Sequence, residues 1–209
     1  MSGIIIESRM YRLKGLTPIL GSLPANKSLL TDFVATKAPS LDFAEEEADL
    51  SIDKSEKSLT VFARNKASQL CIMGYQVKGF FKSALSALRG QINITAHKSK
   101  VDLLLFIEPR YIPLKREGQP ILFEDSINER PLRADGPKGP KIALAASEQV
   151  DDPWSIDIEI SLLPSKSGVK SEALTWSSVE AALEYGMYHG LGQWRNADFG
   201  RFLYQRVED

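Results

Sequence analysis

Three features of this 209-residue chain predict an α+β fold. Two segments repeat their apolar residues at helical spacing, several short segments alternate like half-buried strands, and a proline- and glycine-rich stretch interrupts the strand-like run. Helices inserted among strands that pair over long sequence distances suit an antiparallel sheet with both helices on one face, the ferredoxin-like arrangement.

Arg9–Leu16 alternates as the first strand. Residues 17–40 carry Pro18, Gly21, Pro24 and Pro39 and read as irregular, and 42–56 reads as a short acidic helix or a solvated loop. Ser58–Arg64 is β-rich, and Gln69–Met73 reads as a further short strand. The first helix is expected over Tyr75–Arg89, with Val77, Phe80, Phe81, Ala84, Leu85 and Leu88 forming its buried stripe. Gln91–Thr95 alternates, and Val101–Ile107 is the continuous apolar run of a central strand. The sheet is therefore expected to pair 9–16 with 101–107 near its centre.

Prolines 109, 113, 120, 131, 137 and 140 exclude a packed helix over 108–140. Strand-like pieces on either side of the tip at 133–140 predict a projecting hairpin, or thumb, over 108–141. It is expected to carry Arg133, Lys138 and Lys141 towards neighbouring subunits. Ser155–Leu163 places Ile156, Ile158, Ile160 and Leu162 on one face. The second helix is expected over 177–189, opened by a capping box of Ser177 and Glu180. A short strand follows. The whole chain reads as one domain, 1–209, with the hairpin inserted in it.

Composition excludes several classes. Hydrophobic content of 43% and charged content of 25% are ordinary for a globular protein. No apolar run approaches the ~20 residues of a membrane span, and Ile4–Ile6 followed by Glu7 is too short for a signal-peptide core. A cytoplasmic protein with no membrane partner is expected. Cys71 is the only cysteine, which excludes an intrachain disulfide and a thiolate metal site. No cofactor, metal site or catalytic constellation is recognisable, so a binding protein is expected rather than an enzyme; a nuclease is the enzymatic alternative.

The net charge is only −1, but its distribution is uneven. Residues 42–56 hold seven acids and one lysine. Lys57–Val101 holds eight basic residues and no acid at all. Such segregation implies one positive surface suited to phosphates and one negative surface.

Two segments are candidates for that positive surface. Lys78 lies in the first turn of the first helix, where backbone N–H groups and the helix dipole already favour anions, and Lys82 lies one turn further on. The second segment, 186–202, contains four glycines with Arg195, Arg201 and the aromatics Tyr188, Trp194 and Phe199. Glycine permits close backbone approach, arginine pairs with phosphates, and tryptophan stacks on bases. The plainer reading is a helix C-terminus and a tight turn into the last strand. His189 reads either as a phosphate contact or as a cap for helix carbonyls. Trp194 reads either as an exposed base-stacking surface or as a buried anchor for the loop.

Taken together, MGYQVKGFFKSAL (73–85), the glycine-rich GLGQWRNADFGRF (190–202) and the opening YRLKGLTPILGS (11–22) resemble the RAMP superfamily. These are RRM-like proteins that include backbone subunits of CRISPR effector complexes. The chain departs from the family at Gly74-Tyr75-Gln76, usually Gly-Ser-Ser, and at Val77, usually leucine. The resemblance implies antiviral defence as the setting and single-stranded RNA or DNA as the partner. It implies neighbouring copies or other subunits of a complex as further partners. The binding set it suggests is Lys78, Lys82, His189, Gly190, Gly192, Trp194, Arg195 and Arg201. The alternative is an assembly subunit of the same fold that binds no nucleic acid.

Overall fold

The computed structural model describes residues 6–25, 59–136, 139–163 and 173–207. The acidic segment 42–56 and Lys138 lie outside the described residues, as do the side chains of Arg133 and Lys141.

The frame is an antiparallel sheet. Strand β1 (Glu7–Gly15) lies between β13 (Ser155–Leu162) and β14 (Phe202–Val207), and β7 (Leu105–Glu108) pairs with the far side of β13. Helix α1 (Gly74–Ala87) falls between β1 and β7 in the chain, and α3 (Trp176–Glu184) falls between β13 and β14. The result is the βαββαβ order of the ferredoxin-like fold. Register explains the faces. Tyr11 sits opposite Ile158 and Leu13 opposite Ile156, so the fully buried side chains of both strands point to one side. Val77, Phe80, Phe81, Ala84 and Leu85 of α1 and Val179, Ala182 and Leu183 of α3 join them in one core. Both helices therefore cover a single face, as the apolar stripes predict.

Two more sheets extend this frame. The paired strands β11 (Ser126–Gly136) and β12 (Gly139–Val150) form a long hairpin. Its β12 also pairs with β2 (Ile19–Leu20) and, in parallel, with β4 (Leu59–Val61), and β4 pairs with β3 (Leu23–Pro24). A three-stranded sheet joins β5 (Ala63–Arg64), β6 (Leu70–Met73) and β8 (Tyr111–Pro113). Short β9 (Lys115–Arg116) and β10 (Gln119–Pro120) complete the edge of the main sheet. In β6, Leu70 and Ile72 enter the main core. Cys71 and Met73 enter a smaller cluster with Leu23, Leu59, Val61 and Ala146. Burial pushes the Cys71 thiol up to about 11, so it remains protonated.

Several expected boundaries differ. Residues 101–104 belong to a helix, α2 (His97–Leu104), and strand structure begins only at Leu105. The central partners of β1 are β13 and β14, not 101–107. A short apolar run has no period of its own, and here Val101 is buried while Leu103 is 67% exposed, as on a helix. Residues 91–95 form no strand. The second helix opens two residues earlier than the expected capping box allows. Thr175 is its N-cap, accepting from the Ser178 amide at 3.3 Å. Glu180 instead turns to β1, accepting from Arg9 Nη1 at 2.8 Å and from Tyr11 Oη at 3.0 Å. Burial, with Glu180 adding to it, drives the Tyr11 phenol up to about 12. The α-helix stops at Glu184, and a 3₁₀ turn, Tyr185–Met187, replaces the rest of the expected 177–189 helix.

The cap assignment is testable by chemical denaturation. Thr175→Ala should lose about 1 kcal/mol of stability, whereas Ser177→Ala should stay within about 0.5 kcal/mol of wild type. Equal losses at both positions would restore Ser177 as the cap.

Candidate nucleic-acid interface

The glycine-rich loop between α3 and β14 is laid directly on the turn that follows β1. Leu191 N donates to Gly200 O (2.9 Å), Gly200 N to Pro18 O (2.7 Å) and Gln193 N to Leu20 O (3.2 Å). Thr17 bridges the two segments, its hydroxyl donating to Asp198 O at 2.6 Å and accepting from Arg201 N at 3.0 Å. Contact this close requires glycine. A Cβ on Gly190 would stand 2.1 Å from the carbonyl carbon of Gly200, and one on Gly192 would stand 2.5 Å from Leu20 O at a backbone φ of +81°. These same bonds consume the N–H groups of residues 191, 193, 200 and 201.

Those side chains divide by role. Arg201 is structural: its Nε donates to Met187 O at 2.6 Å, tying the loop to the turn after α3. His189 shares a 3.1 Å hydrogen bond with Ser83 of α1 through Nε2. It therefore joins loop to helix and does not cap carbonyls. Burial, aided by the nearby Arg195 charge, holds its imidazolium below the usual histidine range. Trp194 answers neither sequence account fully. It is 39% exposed, yet Phe199 stacks on it with centroids 5.4 Å apart, and the Arg130 guanidinium lies 4.7 Å from its ring centre. Arg195 is half-buried and forms no hydrogen bond or ion pair among the described residues. Burial lowers its pKa.

The two lysines stand elsewhere on the same helix. Lys82 Nζ pairs with Asp102 of α2 at 2.5 Å. Lys78 Nζ reaches Asp102 O at 3.4 Å and lies 5.3 Å from the Phe106 ring centre, and burial lowers its pKa. On the loop side of α1 lie Gln76, bonded to Ser22 at 2.7 Å, and Ser83, bonded to His189. At about 100° per residue, the lysines and the loop occupy different flanks of one helix. The structure thus brings together His189, Gly190, Gly192, Trp194, Arg195 and Arg201, and sets Lys78 and Lys82 apart towards α2. Sequence reasoning missed Arg130. It lies in β11, 64 residues before Trp194 in the chain, and no local motif marks it. Among the described residues, no group of three His, Cys, Asp or Glu is arranged to hold a metal ion, and no helix is long and apolar enough to cross a membrane.

Two measurements test this geometry. Gly192→Ala should destabilise by about 2 kcal/mol or more in thermal melting, because it combines a strained φ with a backbone clash. The pKa directions also set a pH dependence. Both histidines, His97 and His189, are held below their ordinary values in the folded protein. The unfolded chain therefore takes up more protons as pH falls below about 6.5. Stability should decline from pH 7.5 to pH 5, and His189→Gln should flatten part of that decline. An unchanged slope in the variant would contradict the burial of His189.

No family model matches the chain, and no curated protein does. Among solved structures it is similar to a chain in the cryo-EM structure of a Type III-B Cmr-beta bound to cognate target RNA. The TM-score is 0.41 and the identity 7%, over 96% of this chain and 60% of the other. This chain therefore spans less than two thirds of the length of the chain it matches.

Proposed function

We propose that this chain binds single-stranded nucleic acid, with RNA preferred, through the phosphate backbone, as a RAMP-type subunit of a multi-subunit ribonucleoprotein. The observation that carries the reading is Arg195. It is a half-buried guanidinium that meets no hydrogen-bond or ion-pair partner among the described residues, set in a glycine-shaped loop next to a partly exposed tryptophan. A desolvated cation of this kind gains most from an anion presenting two oxygens, as phosphate does. Trp194 beside it is 39% exposed, with Phe199 and Arg130 already against its ring.

Lys78 and Lys82 do not share one face of α1 with the loop, so they enter this reading only as contacts of an extended ligand. An α-helix with its side chains is about 10 Å across. A ligand meeting both Arg195 and the lysines has to pass over or around α1, which suits a polymer with regularly spaced charges. The lysines are weaker contacts in this reading, because Lys82 is paired with the Asp102 carboxylate and Lys78 already donates to the Asp102 carbonyl. The expected complex with other subunits rests on the hairpin base, where Leu122, Phe123 and Ile127 are exposed, Phe123 by 76%. These apolar residues also favour the second reading, an assembly subunit without nucleic acid.

Fluorescence anisotropy with labelled single-stranded RNA separates the two. Log affinity should fall linearly with log salt concentration. Arg195→Gln should weaken binding about tenfold and reduce the slope by about 0.7. Lys78→Gln and Lys82→Gln should each have a smaller effect. If wild-type protein shows no salt-dependent binding and purifies with a protein-only ratio of absorbance at 260 and 280 nm, the assembly reading replaces this one.

A further inference from the structure

Arg130 occupies a position where a charge is costly. It lies in β11, 5% exposed, directly across from Ala145 of β12. Its Nη1 donates to two neutral acceptors, Asn128 Oδ1 at 3.3 Å and Ser147 Oγ at 3.1 Å. Its Nε is buried without an acceptor, and no carboxylate meets it among the described residues. The other deeply placed arginine behaves differently. Arg64 is held by Glu148 through both Nη atoms, at 3.2 and 3.0 Å, and by Glu124 at 3.2 Å. Buried guanidinium groups are ordinarily compensated in that way, and an apolar side chain of similar size would pack at position 130 without the penalty.

The charge of Arg130 is covered by the ring of Trp194. That ring is carried by a segment bent at both ends. Trp194 and Asp198 have φ of +54° and +64°, and Gly192 and Gly200, just outside them, have +81° and +71°. Apart from the Thr17 hydroxyl on Asp198 O, the backbone bonds that hold the loop to the body cluster at its two ends, at 191–193 and 200–201. Within the middle, Phe199 stacks on Trp194, and the Trp194 ring meets the body at the Arg130 guanidinium of β11.

Resting on the reading of the chain as a nucleic-acid binder, we propose that Trp194 is a displaceable cover over an anion site whose floor is the Arg130 guanidinium, and that a phosphate of the bound strand takes the place of the indole. The exchange is chemically matched. Arg130 gives up a cation–π contact and gains charge-assisted hydrogen bonds for the donors now idle, Nε among them. The released indole gives up its partners in the loop and stacks on an adjacent base. The hairpin and the glycine-rich loop then grip one nucleotide together.

The test uses the full chain, inorganic phosphate as one probe and labelled single-stranded RNA as the other. Trp194→Ala removes the cover. Phosphate at tens of millimolar, against chloride of equal ionic strength, should raise the melting temperature of this variant more than that of wild type. The gain should vanish in Trp194→Ala combined with Arg130→Met. Equal stabilisation of both variants by phosphate overturns the proposal. With RNA, Arg130→Met alone should weaken binding about tenfold and lower the salt slope by about 0.7, while its melting temperature stays at or above the wild-type value. Unchanged RNA affinity and slope, or a large fall in melting temperature, shows Arg130 to be structural and overturns it. If wild type fails to bind RNA but the phosphate effect still depends on Arg130, the anion site stands and only its assignment to a polymer falls.

Discussion

The close seating of the glycine-rich loop on the turn after β1 is the constraint on which this structure depends. β14 pairs with β1 along Met10–Gly15, and the loop that delivers it must fold back against Pro18 and Leu20 with no room for side chains. The turn is held in its own right: Trp154 fills the space beside Gly15 and donates from Nε1 to Thr17 O at 2.8 Å. The end of the chain is thereby locked onto its beginning, and Trp194 and Arg195 are presented from a backbone whose ends are fixed. Fixing both ends limits the freedom that the middle of the loop has to lose on binding.

The basic residues of the acid-free stretch serve several purposes. Arg64 closes a buried network with Glu148, whose second oxygen also accepts from the Phe62 amide at 2.9 Å. Lys82 joins α1 to α2, and Lys78 shields Phe106. Three of the basic residues of that stretch, Arg64, Lys78 and Lys82, are therefore engaged within the fold. Among the described residues, two guanidinium groups that meet no carboxylate, Arg195 and Arg130, lie outside it. A charge run in sequence reports how many cations are present, whereas burial and partners decide which of them remain available to a ligand.

The pairing of α3 with β1 shows how tertiary contacts overrule a local signal. Ser177 and Glu180 have the spacing of a capping box, but Glu180 finds better partners in Arg9 and Tyr11 than in its own helix terminus, and Thr175 takes over the cap. Arg9 also lies over Trp176, 4.2 Å from its ring centre, so one helix start and one strand are joined by a charge, a phenol and an aromatic face. The same competition explains α2. Its apolar residues Val101 and Leu104 suit a strand equally well, and the pairing of Asp102 with Lys82 rewards the helix.

The periodicities of Tyr11–Leu13, Ile156–Leu162 and Val77–Leu85 were sufficient to determine the α+β class, the two helices and the face they cover, because burial of one face imposes a period that any reader of the chain can measure. The glycines of 190–200 likewise announced a close backbone approach, because a residue without a Cβ is what such an approach requires. Strand partners were decided only by the tertiary structure: β1 chose β13 and β14 over 101–107 because pairing depends on which apolar faces meet across the sheet. So was the composition of the candidate site. Lys78 and Lys82 are divided from the loop by the rotation of α1, and Arg130 is brought beneath Trp194 by a hairpin whose docking no local pattern records. Local spacing encodes which face a residue occupies, and long-range packing alone decides what that face meets.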